Sequence, residues 1–315
     1  RRTAAPELHG RHRVVVQRSA RGPAATRTAA MVRAWLTAGL AGLALALSPA
    51  GGRAAELPLW ELAVGGGVIS LPYYRGAESN RLLPVPFIYP VYRGDFLKVD
   101  EEGVRGLFFE TDRLKLDLSA DGSVPGSDDD VEGREGMPDL DPTFQVGPSL
   151  TVDLWRAEPH ARSLILTLPL RGVFTVDSSP EHIGLAASPK LTYSRDARFA
   201  RRNWRVAMTG GVELGSSKLH DHFYSVAPRF STPDRPAYKA ESGYAGTRFT
   251  LSAQSRSGNN WIGAFLRYDN VSGAVFDDSP LVRRSGNFSA GIVVGWFVAR
   301  SKTMVTVPDR EALKD

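Results

Sequence analysis

The sequence predicts an all-β protein, a transmembrane antiparallel β-barrel of ten to twelve strands, and twelve is the count that keeps its connections consistent. Three observations carry this. Between Phe288 and Val298 the even positions Phe288, Ala290, Ile292, Val294, Trp296 and Val298 form one apolar face, and Ser289, Gly291, Val293, Gly295 and Phe297 alternate with them. That is the period of a strand, and it covers the roughly 9–11 residues a membrane-spanning strand needs. Next, Arg113 to Ser119 sets Leu114, Leu116 and Leu118 against Arg113, Lys115, Asp117 and Ser119, which pairs a lipid face with a wet interior. Finally, no segment after residue 55 is long and apolar enough for a membrane helix. A strand in lipid cannot leave its N–H and C=O groups unpaired, so the strands must close on one another. A soluble β-sandwich is the competing fold.

Composition narrows the function classes. The 315 residues include no cysteine, which removes disulfides, thiolate metal sites and thiol catalysis. The net charge of +5 belongs to the leader: residues 1–54 hold nine Arg and one acid, leaving −3 for residues 55–315. Nucleic-acid binding, which needs a basic surface on the folded part, is therefore not expected. Residues 1–30 read as an upstream or mis-assigned extension. Met31 opens a secretory signal that ends by residue 54: Arg33 is its basic region, Ala34 to Leu47 its apolar region, and Ser48-Pro-Ala50 and Gly52-Arg-Ala54 are two cleavage sites. The barrel is expected over 55–299 and a periplasmic tail over 300–315.

Taken in order, Leu59–Ser70 is the first strand, carrying Trp60, Leu62, Val64, Gly66 and Val68 on one face. Arg81–Tyr92 contains Pro84, Pro86 and Pro90 and predicts an irregular or bulged strand. Short strands follow at Phe96–Val99 and Val104–Glu110, then Arg113–Ser119 and Phe144–Leu154. In the next strand Leu164, Leu166, Leu168, Leu170 and Phe174 oppose Ser163, Thr167, Arg171 and Thr175. Ile183–Ser194, Trp204–Gly215, Tyr244–Ser255, Trp261–Asn270 and the closing strand complete the set. This division puts the long connections 71–81, 121–142, 216–243 and 271–285, with the shorter 100–103 and 177–182, on one side and those near 93–95, 111–112, 156–162, 196–203 and 256–260 on the other, as outer-membrane barrels do. His222–Pro228 is a candidate for one hidden strand. Arg113, Lys115, Asp117, Gln145, Arg171, Arg205, Glu213, Arg248 and Arg267 are expected in the lumen, where their mixed signs suit either a salt-bridged plug or a small-solute path.

Tyr73-Tyr-Arg-Gly-Ala-Glu78 followed by Leu82-Leu-Pro-Val-Pro-Phe87 resembles the MipA/OmpV family of outer-membrane proteins. The likeness continues through Tyr92–Phe96, Pro138–Asp141, Pro236–Tyr238 and Asp278–Val282, and so covers residues 58–299. Ala77 stands where the family commonly has Ser, and the chain runs on past the last strand. The resemblance implies a location in the cell outer membrane, insertion by the barrel assembly machinery, and contact with outer-membrane lipid and lipopolysaccharide. It also implies a scaffold that joins a lytic transglycosylase to a penicillin-binding protein; porin-like channels and adhesins are the alternatives the family offers. The motif loop is Tyr73, Tyr74 and Gly76. Ser289, Gly291, Val294 and Trp296 resemble a barrel insertion signal, here internal.

Few residues point to chemistry. His220-Asp-His222 would place two rings on one face if it lay on a strand, but no third ligand follows at metal spacing, and a polar loop is the plainer reading. Asp121–Asp141 is acid-rich without the ordered spacing of a calcium loop, so it reads as a solvated loop or a divalent-ion bridge to lipopolysaccharide. Arg283 and Arg284, next to Asp277 and Asp278, either meet lipid phosphates or pair with those acids. No cofactor, no metal and no enzymatic activity are expected; a barrel enzyme relying on His222 is the remote alternative.

Overall fold

A computed structural model describes residues 54–100, 103–123, 133–138, 140–157, 162–177 and 179–308. The extension, nearly all of the signal segment, the centre of the acidic run, His160 and the last seven residues lie outside the described residues. Fifteen strand segments follow one another: β1 (Ala54–Pro58), β2 (Trp60–Pro72), β3 (Asn80–Arg93), β4 (Leu97–Asp100), β5 (Gly103–Glu110), β6 (Leu114–Ser123), β7 (Thr143–Ala157) and β8 (Arg162–Thr175). Then come β9 (His182–Ala187), β10 (Lys190–Phe199), β11 (Arg202–Gly215), β12 (Gly243–Ser257), β13 (Asn260–Asn270), β14 (Gly286–Arg300) and β15 (Met304–Pro308). Among the described residues one α-helix, α1 (Ser217–Tyr224), followed by a 3-10 turn at Pro228–Phe230, interrupts the connection between β11 and β12.

Segments β2 to β14 form one antiparallel sheet in which β14 pairs with β2. β9 and β10 share the same neighbours, β8 and β11, on either side of Ser188 and Pro189, so they are one interrupted stave. The thirteen segments thus make a closed barrel of twelve staves. Closure removes both sheet edges at the seam between first and last strands, and that seam runs in register from Ala290 with Ser70 to Arg300 with Glu61, through one bulge after Phe297. The long connections share one end of the barrel and the short turns the other, as the parity of the sequence requires.

The alternation that predicts the strands also sets their faces. In β14, Phe288 is 60% exposed on the outside while Ser289, its neighbour, is 2% exposed inside. Leu164, Leu166, Leu168 and Leu170 face out from β8, and Ser163 and Thr175 are buried within. Arg113 departs from expectation: it lies exposed in the turn before β6, so the lumen-facing alternation starts at Lys115. β3 departs too, being regular: it pairs with β2 without a bulge from Asn80 to Tyr92. Its prolines leave that ladder intact because all three occupy positions whose backbone groups face the other way.

At the short-turn end β1 and β15 form a separate two-stranded ribbon, Ala54 opposite Pro308 through Pro58 opposite Met304. Leu59 N–H donates to Thr303 O at 2.9 Å and Ser301 N–H to Trp60 O at 2.8 Å. The ribbon is therefore a continuation of the β2–β14 seam beyond the wall. Five residues at about 3.3 Å each extend it by about 17 Å.

Candidate functional site

The inward residues divide the lumen into two arcs. Along β14, β2 and β3 the lining is apolar: Ala63 and Ile69, then Val85, Phe87, Tyr89 and Val91, then Val293 and Phe297, joined by Trp261 and Phe265 of β13. Phe87 stacks on Tyr89 at 5.4 Å and on Trp261 at 5.3 Å. The glycines of β2 and β14 make this possible. A Cβ on Gly295 would come within 3.1 Å of the Phe87 ring, and one on Gly65 would lie 2.0 Å from Val294 O. At the turn end the arc rests on one charge cluster. Glu61 accepts from Arg93 Nη2 at 2.9 Å and from Arg256 Nη1 at 3.1 Å and Nη2 at 2.5 Å, and all but 2% of its side chain is buried. The Arg256 guanidinium also lies 3.8 Å over the Phe297 ring.

The remaining arc is polar and laced by pairs within and between staves. Lys98 meets Glu110 at 3.3 Å, Lys115 meets Asp117 at 3.5 Å with Arg105 3.8 Å away, and Arg205 meets Asp196 at 3.0 Å. Arg171 reaches across β7 to Ser119 Oγ at 3.0 Å and Asp121 at 3.4 Å. Arg248 joins Glu213 at 3.2 Å to Asp269 at 2.8 Å. Every lumen residue expected from the sequence except Arg113 is on an inward position. The pairing of most of the charged ones favours fixed side chains over loose ones, because a buried charge is tolerated where its partner holds it.

Over the loop end, four connections pack into a small core of their own. Tyr74, Ala77, Leu140, Tyr224, Val226, Ala240, Val271, Phe276 and Leu281 are buried together. The motif loop ties it down. Tyr74 Oη donates to Leu281 O at 2.6 Å, and Tyr224 Oη donates to Arg75 O at 2.9 Å. Gly76 adopts φ +94°, a region where a side chain would be strained. There its N–H donates to Asn287 Oδ1 at 2.7 Å, its carbonyl accepts from Arg283 and Arg284, and Asn287 Nδ2 closes the ring on Ala77 O at 2.8 Å. Tyr73 packs at the margin of this core, its ring 5.5 Å beneath the Arg81 guanidinium. Arg75 finally pins the cap to the barrel through Asp269 at 3.2 Å.

His220 and His222 belong to this cap, and they lie on α1, not on a strand. Ser216 caps the helix by accepting from Leu219 N–H at 3.4 Å. Two residues apart on a helix are about 200° apart around its axis, so the rings diverge. His220 Nδ1 donates to Glu241 O at 2.6 Å and its ring meets Phe276 edge-on at 4.8 Å, whereas His222 packs on Phe223. Burial holds both imidazoles below their usual range; the Glu241 carbonyl opposes this at His220, and Arg134 adds to it at His222. Among the described residues no group of three or more His, Asp or Glu is placed to hold a metal ion.

One other expectation is corrected. Arg283 pairs with Glu78 at 3.7 Å, while Asp278 accepts from Tyr238 Oη at 2.5 Å and Asp277 from Gly273 N–H at 2.8 Å, so the neighbouring acids are engaged locally. Burial and the Asp278 contact push the Tyr238 phenol well above its usual pKa. The residues of the resembled insertion signal sit as the alternation of the strand requires: Ser289 and Gly291 face the lumen, Val294 and Trp296 the outside. Sequence reasoning missed α1, the ribbon strand β15 and Asn287, whose roles depend on contacts distant in the chain.

The family described as MltA-interacting protein MipA matches residues 64–298. Among solved structures, a bacterial polysaccharide outer membrane secretin is similar at 9% identity with a TM-score of 0.39, over 77% of this chain and 99% of that one. No curated protein matches the chain.

Proposed function

The chain belongs to the MltA-interacting protein MipA family, and from that premise we propose that this outer-membrane barrel is a non-enzymatic scaffold for peptidoglycan-remodelling enzymes, binding a lytic transglycosylase and through it a penicillin-binding protein. The short-turn end then faces the periplasm and the cap faces outward. The observation that carries the reading is the ribbon of β1 and β15, a two-stranded sheet that prolongs the seam on the side where such enzymes work. A ribbon of two strands is marginal alone and has backbone groups on both edges available for a third strand. Insertion by the barrel assembly machinery and contact with lipopolysaccharide follow from the same location.

The test is capture of a purified lytic transglycosylase by the reconstituted barrel, with and without residues 301–315. Capture that disappears with the deletion, while the barrel keeps its heat-modifiable gel migration, is the expected result. Absence of capture by the full chain, or capture indifferent to the deletion, would overturn the proposal. A second reading, a small-solute channel, draws on the polar arc. It predicts stepwise conductance in planar bilayers, which the packed cap and the paired lumen charges argue against.

A further inference from the structure

Among the described residues the barrel wall is incomplete beside β3. That strand pairs with β2 from Asn80 to Tyr92 but with β4 only at Tyr92 and Arg93, because the β4–β5 hairpin is too short to rise further. Backbone direction shows what the open side carries. Arg93 N–H donates toward β2, to Leu59 O at 2.8 Å, so the odd residues of β3 bond to β2 and the even ones turn toward the gap. Of Leu82, Pro84, Pro86, Ile88 and Pro90, three have no N–H to offer. An edge so depleted of donors does not accept another strand, whether from a partner or from a second copy.

The same edge crosses the lipid-facing band, where Leu82 is 69% and Ile88 74% exposed. Immediately behind it is the apolar arc, Val85, Phe87 and Tyr89, with Phe265 and Trp261 beyond. At the loop end of this wall stands Arg81, whose Nε and Nη2 are shut off from water without a hydrogen-bond partner.

We propose that this stretch is a lateral opening in which the acyl chain of a phospholipid from the surrounding bilayer lies against the apolar arc, with its phosphate on the Arg81 guanidinium. A lipid satisfies both halves of the site. Its chain needs no donors from the proline edge, and its phosphate supplies the acceptor that the guanidinium lacks.

The chain has no cysteine, so a benzophenone can be attached at Val85→Cys, beside the gap, or at Thr209→Cys, on the polar arc. Each protein is reconstituted in vesicles of phosphatidylglycerol mixed with an uncharged galactolipid, irradiated and weighed by mass spectrometry. Lipid adducts are expected at position 85 and not at 209; adducts at neither position, or equally at both, overturn the opening. Adding Arg81→Gln is expected to shift the adduct ratio about tenfold from phosphatidylglycerol toward galactolipid, as loss of one charge-assisted contact would. An unchanged ratio overturns the phosphate assignment. Gel migration verifies folding, and Leu83→Cys serves as a second probe position on the same wall. Neither outcome depends on enzyme capture.

Discussion

The two arcs of the lumen solve one problem with opposite chemistry. The polar arc fills space with long side chains that hold one another by charge, pair by pair, so that each contact has a substitute nearby. The apolar arc fills it with rings packed against strand glycines, and concentrates its charge in Glu61. A distributed network should yield gradually to mutation. A concentrated one should fail at a single point.

The sharpest test is Glu61→Ala, which takes the shared carboxylate away from Arg93 and Arg256 in a buried setting. It is expected to cost about 3–5 kcal/mol, seen as a lower midpoint in urea-dependent loss of the folded gel band; a change below about 1 kcal/mol would mean the cluster is not the arc's anchor. Phe87→Leu comes next. It removes the ring between Tyr89 and Trp261 and is expected to cost about 1–2 kcal/mol, with a shift in tryptophan emission that a purely global effect would not give. In the polar arc, Glu213→Ala leaves Arg248 with Asp269 at 2.8 Å, and a loss of about 1 kcal/mol or less, shrinking in high salt, is expected. If it equals the Glu61 effect, the contrast between the arcs is wrong.

The smallest effect concerns the cap, which leans on both arcs through Arg75 and Asn287. His220 is buried and His222 half-buried, and desolvation lowers the pKa values of both. The unfolded chain therefore binds more protons than the folded one as pH falls below about 6.5. Their stabilising contribution is complete above that pH and declines as pH drops toward the folded values. Amide exchange in α1 should accordingly be faster at pH 5 than at pH 7.5, after correction for intrinsic rates, while exchange in β2 and β14 stays unchanged. Equal protection at both pH values would show that the two rings do not hold the cap.

Much of the barrel was legible because a strand in a membrane states its two faces in its own alternation. Phe288 to Val298 declares lipid and lumen without reference to any partner, and the parity of loop lengths then orders the staves. The cap was not legible, for its core joins Tyr74 to Leu281 and Asn287 to Gly76 across more than two hundred residues. α1 left one local signal, Ser216 three residues before Leu219, which competes with the strand-like His222–Pro228. The prolines of β3 were readable as a disturbance, whereas their shared even parity acquires meaning only once the adjoining hairpin is known to be short. Met304–Pro308 alternates too briefly to be distinguished from an extended tail.

The ribbon has a consequence for the order of assembly. Within the barrel wall β2 and β14 are the most distant neighbours along the chain, so their pairing carries the largest loop-closure entropy of the wall and comes late. Closing one residue out of step would turn Ser289 to the lipid and Phe288 to the interior. β1 and β15 meet in water, outside the wall, and Leu59 with Thr303 carries their alignment directly into the seam. Once the two ends meet, the ribbon can thus fix the register of the closing seam, much as the box of a zipper aligns its teeth before the slider moves.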